Sequence, residues 1–237
     1  MKFNTPLVEG VLKRRYKRFL ADVEFSSGEV VTCHCPNTGS LMGCTDPGSR
    51  VWLSRSSNPE RKYPYTWELV RVGGSVTVGI NTGLSNRLVR EALERGVIPE
   101  LDGYATIRRE VRFGEERSRV DMLLQDHGRM PECYLEVKNV TAAVSGGVAL
   151  FPDAVSTRGT RHLRELMRVV DSGARAALCF CVQRGDVGEV RPADDIDPEY
   201  GRALREAIAG GVEVLAYRAR VSPREIRLQR PLPVVCP

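Results

Sequence analysis

The chain has 237 residues, 42% of them hydrophobic and 27% charged, with a formal net charge of +5. That composition supports one large core or two modest ones. No apolar run approaches the roughly 20 residues that span a bilayer, and Met1 to Pro6 lacks a signal peptide's apolar segment, so a cytoplasmic protein without membrane contact is expected.

Residues 1–80 read as short strands between turns: Val11 to Phe25, Val30 to Cys35, Arg50 to Ser56, Thr66 to Val72 and Ser75 to Ile80. The breakers are Ser26-Ser27-Gly28, Pro36 to Gly39, Asp46-Pro47-Gly48 and Gly73-Gly74. Five short strands in about 75 residues match the small five-stranded barrel that binds oligonucleotides. This segment holds 11 Lys/Arg against 7 Asp/Glu and so carries most of the net charge. Its first strand contains Lys13, Arg14, Arg15, Tyr16, Lys17, Arg18 and Phe19. Cations neutralise phosphates and aromatics stack on bases, so this run is a candidate nucleic-acid surface, extended by Arg61 and Lys62. An ordinary solvated strand face is the competing reading.

Cys33, His34, Cys35 and Cys44 cluster in the same segment. Cys-x-Cys is the wrong spacing for a zinc knuckle, and neighbours on a strand face opposite ways, which favours reduced thiols packed as small hydrophobes. Asn37-Thr38-Gly39 reads as a strand-to-turn cap in preference to a phosphate cradle. Trp67 is expected in the barrel core, with Tyr63 and Tyr65 more open.

After Asn81 the period changes. Leu84, Leu88, Val89, Ala92 and Leu93 mark an amphipathic helix capped by Ser85 or Asn86 and closed by Gly96. Strands follow at Tyr104 to Phe113, Ser118 to Gln125 and Cys133 to Val140, then a helix near Thr160 to Val170. Ala176 to Val182 reads as a strand covered on both faces. A helix over Pro198 to Ala209 leads to the strand Val212 to Tyr217. This order makes residues 81–237 an α/β domain with a mixed sheet.

One hairpin carries the chemistry. Asp121 lies on the second strand of the meander, and Glu136 and Lys138 share a face of the third. If the hairpin pivots in Asp126 to Pro131, Asp121 opposes Glu136, with Cβ atoms about 5 Å apart. Two carboxylates at that range repel unless they share a cation. Mg2+, or Mn2+ in its place, suits carboxylate and water oxygens, with the Val137 carbonyl as a further donor. Lys138 would serve the attacking water or the phosphate oxygens. A solvated face of two amphipathic strands would show the same letters.

The order of helix, three strands, helix and strand, with Asp on the second strand and Glu-x-Lys on the third, resembles the restriction-endonuclease-like, PD-(D/E)xK nucleases. In that superfamily the first helix often supplies an extra acidic ligand. Glu91 lies on the matching helix, with Glu110 as the weaker alternative. Arg158 and His162 share one side of a helical turn near the site and are candidates for contact with the scissile phosphate, while Asp153 reads as a cap of that helix.

Longer blocks narrow the resemblance. Residues 34–44 (HCPNTGSLMGC), 61–69 (RKYPYTWEL), 134–141 (YLEVKNVT) and 151–155 (FPDAV), with Asn81-Thr82, Ser118 to Asp121, Arg158-Gly159 and His162 to Leu166, resemble the sugar fermentation stimulation protein family. The resemblance implies an oligonucleotide-binding-type barrel over residues 1–80, a nuclease-like domain over residues 81–237, and DNA binding. DNA cleavage is implied by the fold more than by the family. The expected partners are DNA, without sequence preference, and a second copy of the chain in a homodimer. The alternative function is a non-catalytic DNA-binding regulator of transcription, linked to sugar metabolism, that retains the nuclease-like fold. A sugar- or phosphosugar-binding enzyme has only the family name behind it, because the chain shows no sugar-binding signature.

Overall fold

A computed structural model of the chain describes all residues except 115–117 and 145. The first six strands are β1 (Val8–Tyr16), β2 (Leu20–Glu24), β3 (Val30–His34), β4 (Arg50–Arg55), β5 (Tyr65–Val72) and β6 (Val76–Gly79). They run in the order β3-β2-β1-β4-β5-β6, and a parallel β3–β5 pairing closes the first five into a barrel. The closure runs through one residue pair, His34↔Thr66, and shortens the exposed sheet edge that would otherwise template pairing with other chains. Leu12, Ala21, Cys33, Cys35, Leu41, Cys44 and the fully buried Trp67 fill its core. The Trp67 indole donates to the Leu69 carbonyl at 2.9 Å, which satisfies its one polar atom.

The long first strand expected over Val11 to Phe25 is two strands. The chain reverses at 17–19, where Lys17 and Arg18 adopt φ of 49° and 63°. Nothing in the letters announces this, because turns with left-handed residues usually carry Gly or Asn.

A short 3-10 turn, Thr82–Leu84, capped by the Asn81 side chain, leads into α1 (Ser85–Glu94). Ser85 makes no cap bond and instead donates to Asn139. The strands β7 (Tyr104–Phe113), β8 (Ser118–His127) and β9 (Cys133–Val140) form the meander. A small excursion, β10 (Ala143–Val144) and β11 (Val148–Phe151), precedes α2 (Thr157–Asp171). Ser156 caps α2, while Asp153, read as a cap, instead accepts from the Leu41 N–H in the barrel at 3.2 Å. Then come β12 (Arg175–Val182), β13 (Glu189–Pro192), α3 (Pro198–Ala209), β14 (Glu213–Val221) and β15 (Ile226–Pro231).

The second domain is built on a six-stranded mixed sheet, β15-β14-β12-β9-β8-β7, parallel from β9 through β12 to β14 and antiparallel outside them. The central strand β12 is apolar on both sides because both are covered. Ala177, Cys179 and Cys181 face α1, whereas Ala176, Leu178, Phe180 and Val182 face α2 and α3. The resulting architecture is an oligonucleotide-binding-type barrel followed by a restriction-endonuclease-like α/β domain.

The two parts share a core. Trp52 and Leu69 of the barrel pack in one cluster with Leu88, Val89, Met122 and Leu135. Residues 1–3, assigned with the barrel in the division at residue 80, sit on the second domain: the backbone of Lys2 forms an isolated antiparallel β-bridge with that of Glu225, and Phe3 N–H donates to the Arg224 carbonyl. Because Leu69 is fully buried at this junction, Leu69→Ala is expected to lower stability by about 2–5 kcal/mol. The shared core also predicts one unfolding transition, seen together in urea by tryptophan fluorescence and by far-UV circular dichroism; separate transitions would show that the cores act independently.

Candidate metal-binding cleft

The site opens where two strands part. Met122, Leu123 and Leu124 of β8 pair with Leu135, Tyr134 and Cys133 of β9. One more step in that register would oppose Asp121 to Glu136, but the pairing stops at Met122. Asp121 Oδ2 instead accepts the Val137 N–H at 2.7 Å, and Oδ1 accepts from Asn86 of α1, also at 2.7 Å. A side-chain carboxylate thus takes a backbone donor that a continued ladder would direct to a β8 carbonyl. Opposite Asp121 in the β7–β8 register stands Glu110, with a φ of 52°, so the neighbouring strand is distorted at the same level.

The resulting cleft, of about 320 Å³, is lined by Thr82, Asn86, Asp121, Glu136, Val137, Lys138, Asn139 and Arg158 among others. Asp121, Glu136, Lys138 and Arg158, singled out from the sequence, therefore meet in one place. Glu136 is 3% exposed. Its Oε1 accepts from Lys138 Nζ at 2.7 Å and lies 2.5 Å from His162 Nδ1, whereas its Oε2 is buried without a hydrogen-bond partner among the described residues. Arg158 Nε in turn lies 3.3 Å from His162 Nε2.

The two carboxyls titrate in opposite directions. Burial raises the Asp121 pKa above 3.8, and the charge of Glu136 adds to the effect, outweighing the bonds from Val137 and Asn86. Burial opposes ionisation of Glu136 as well. There the hydrogen bond from His162 and the charge of Lys138 prevail, so Glu136 titrates below its ordinary value. The pair is thus an ionised Glu136 beside an Asp121 whose charge is disfavoured by its neighbour, an arrangement that a cation between them would relieve.

Glu91 lies elsewhere. It is absent from the cleft lining, and its carboxylate pairs with the Met1 amino group at 2.7 Å and with Arg95 at 3.3 Å. From α1 it is Asn86, one residue into the helix, that reaches Asp121. Glu110 is exposed on β7 and is likewise absent from the lining.

The basic residues of the barrel divide by partner. Lys13 pairs with Glu24 and Arg14 with Asp22, each at 2.8 Å. Arg15 donates to the carbonyls of Arg18, Asn37, Gly39 and Ser40, and Arg18 to that of Thr38. The last two side chains therefore hold the 37–40 loop in place. Within that loop the Asn37 side chain accepts from the Gly39 N–H, and a Cβ at Gly39 would lie 2.3 Å from the Asp153 carboxylate. Lys17 sits on the β1–β2 loop beside the exposed Phe19, and Arg61 and Lys62 sit on the β4–β5 loop; none of these three cations has an ion pair among the described residues. Those are the two loops with which barrels of this type meet nucleic acid.

Sequence reasoning missed a polar link behind the cleft. Gln183, fully buried just past β12, donates through its side-chain amide to the Asn81 carbonyl, Ser85 and Asn139, and its backbone carbonyl accepts the Gly79 N–H at 2.8 Å. A lone Gln after an apolar strand carries no signal by itself.

Comparison with known proteins agrees with this architecture. Residues 14–80 match the model of the SfsA N-terminal OB domain, and residues 83–225 that of the sugar fermentation stimulation protein RE domain. The sugar fermentation stimulation protein homolog of Alkalilimnicola ehrlichii is 61% identical over the full length of both chains. That of Thioalkalivibrio sulfidiphilus is 62% identical, covering 99% of this chain and 98% of its own. The structure of Pyrococcus furiosus SfsA in complex with Ca2+ superposes with a TM-score of 0.88 at 29% identity, covering 99% of this chain and 98% of that one. Matched in both of its domains and along its whole length, the chain belongs to the sugar fermentation stimulation protein family.

Proposed function

We propose that the protein binds DNA and hydrolyses its phosphodiester bonds using a divalent cation, Mg2+ or Mn2+, held by Asp121 and Glu136. The observation that carries this reading is Glu136 Oε2, a buried carboxylate oxygen with no hydrogen-bond partner among the described residues, on a side chain that lines an open cleft together with Asp121 and Lys138. A buried acceptor left unpaired is costly, and a cation would satisfy it. Two protein carboxylates, completed by water and substrate phosphate, are the usual provision for Mg2+. The Val137 carbonyl is a further candidate oxygen. Ca2+ in the Pyrococcus furiosus structure supports a divalent ion in this family.

A bound divalent cation supplies Lewis acidity, drawing charge from a phosphoryl oxygen and acidifying water. The remaining work falls to the chain. Asn86 and the Val137 N–H fix both oxygens of Asp121. Lys138, held beside Glu136 and largely buried, is placed to donate to the attacking water or to charge developing on the phosphate. Arg158 spends Nε on His162, which leaves its two terminal nitrogens for a phosphate oxygen at the cleft rim. DNA would approach over the barrel loops that carry Lys17, Arg61 and Lys62.

Three outcomes test this. With single- or double-stranded DNA and Mg2+ or Mn2+, Glu136→Ala and Lys138→Ala should each cut at least about 100-fold more slowly than the natural chain. Equal rates, or no cutting by any of the three, would sink the nuclease reading and leave a DNA-binding regulator.

Metal affinity should also depend on pH. Protons compete for Asp121, whose pKa lies above 3.8, so Mn2+ affinity falls as the pH drops from neutral toward that raised pKa, at most about tenfold per pH unit once below it. Asp121→Asn should bind weakly at every pH. Mn2+ titrations across the range decide the matter, and a flat profile for the natural chain counts against Asp121 as a ligand.

Neutralising Lys17, Arg61 and Lys62 should reduce the slope of log affinity for duplex DNA against log salt by about 0.9 for each phosphate that is no longer neutralised. Arg15→Gln should instead lower the melting temperature, because it releases four carbonyls of the barrel. An unchanged slope in the triple variant would move the DNA surface off these loops.

A further inference from the structure

Two donors converge on a single oxygen of Glu136, His162 Nδ1 at 2.5 Å and Lys138 Nζ at 2.7 Å, and the other oxygen has no hydrogen-bond partner among the described residues. The last torsion of a glutamate is soft and nearly two-fold, so an unrestrained carboxylate would exchange its oxygens freely. Here it is pinned. Which nitrogen of His162 bears the proton follows from its second neighbour: Arg158 Nε can only donate, so Nε2 accepts and Nδ1 carries the hydrogen directed at Glu136. The imidazole side chain is 3% exposed and does not line the cleft, which removes it from reach of a phosphate there.

We propose that His162 is a positioning residue: held as its Nδ1–H tautomer by Arg158, it fixes the Glu136 carboxylate so that Oε2 alone is presented to a divalent cation. The inference rests on the reading of the cleft as a divalent-cation site. It replaces the expectation that His162 touches DNA. It also gives Arg158 two tasks at once, with one nitrogen on the histidine and the others toward substrate. Partners that orient a metal ligand in this way typically change metal affinity or activity 10- to 100-fold when removed.

The experiment is a titration of Mn2+ into the full metal-free chain without DNA, for the natural protein, His162→Ala, His162→Asn and Arg158→Met, with thermal melts run alongside. His162→Ala is expected to weaken Mn2+ binding about 10- to 100-fold. His162→Asn, whose amide can donate where Nδ1 does, should recover most of that loss, and Arg158→Met should show a smaller weakening because nothing then holds the tautomer. DNA affinity measured in chelator should be the same for His162→Ala as for the natural chain.

Natural-level Mn2+ affinity in folded His162→Ala overturns the inference while leaving the cation site standing. So does a folded His162→Asn no better than alanine, which would assign the effect to packing, or a loss of metal-free DNA affinity in His162→Ala. If His162→Ala does not fold, the asparagine and methionine variants decide alone, and natural affinity in Arg158→Met would refute the tautomer anchor. A natural chain that takes up no Mn2+ would overturn the cation site itself, and the inference with it.

Discussion

The hydrogen bond from the Val137 N–H to the Asp121 carboxylate organises this molecule's candidate chemistry. A β ladder exists because backbone donors and acceptors must be paired when buried. Once a side chain takes one of those donors, the strands no longer need to stay together, and β8 leaves β9 without orphaning that N–H. The gap that opens is the cleft. Its floor remains rigid because β9 is still bound along its other edge to β12, residue by residue from Arg175↔Cys133 to Val182↔Val140.

The cleft is an electrostatic compromise. Glu136 is held ionised against its burial by the hydrogen bond from His162 and the charge of Lys138, and its own charge adds to the burial that makes Asp121 harder to ionise. A fold selected only for stability would replace such a pair with apolar side chains, which often cost nothing and sometimes stabilise. Retaining two carboxylates, one with an unpaired oxygen, makes sense where a ligand completes the set.

Much of this was legible in the letters for definite reasons. Alternation of period two revealed β8 and β9, and an unbroken apolar run revealed β12, because both patterns record which faces are covered. Asp121, Glu136, Lys138 and Arg158 meet in the cleft because strand faces and helix sides follow from spacing. Glu91 was misplaced because a helix presents acidic residues on several sides, and spacing cannot say that one of them will be occupied by the Met1 amino group. The basic run shows another limit of spacing: Arg14 and Arg15 read from the letters as a DNA-facing stripe, but the letters do not show that they have partners within the barrel, Asp22 and the carbonyls of the 37–40 loop, which come from other strands and loops. Gln183 and the left-handed turn at Lys17 and Arg18 depend on tertiary packing and leave no local pattern.

The shared core has a further meaning. Trp52 and Leu69 are packed among α1 and sheet residues, Asp153 reaches the barrel at Leu41, and Gln183 ties Gly79 to Asn139. Barrel and cleft are thus fastened at several points on both sides of the chain's crossing between them, so the barrel that carries the cationic loops and the strands that carry the carboxylates form one packed body. A polymer lying across both would be measured by the protein as by a ruler, and any adjustment in length would have to come from the bending or unstacking of the polymer itself.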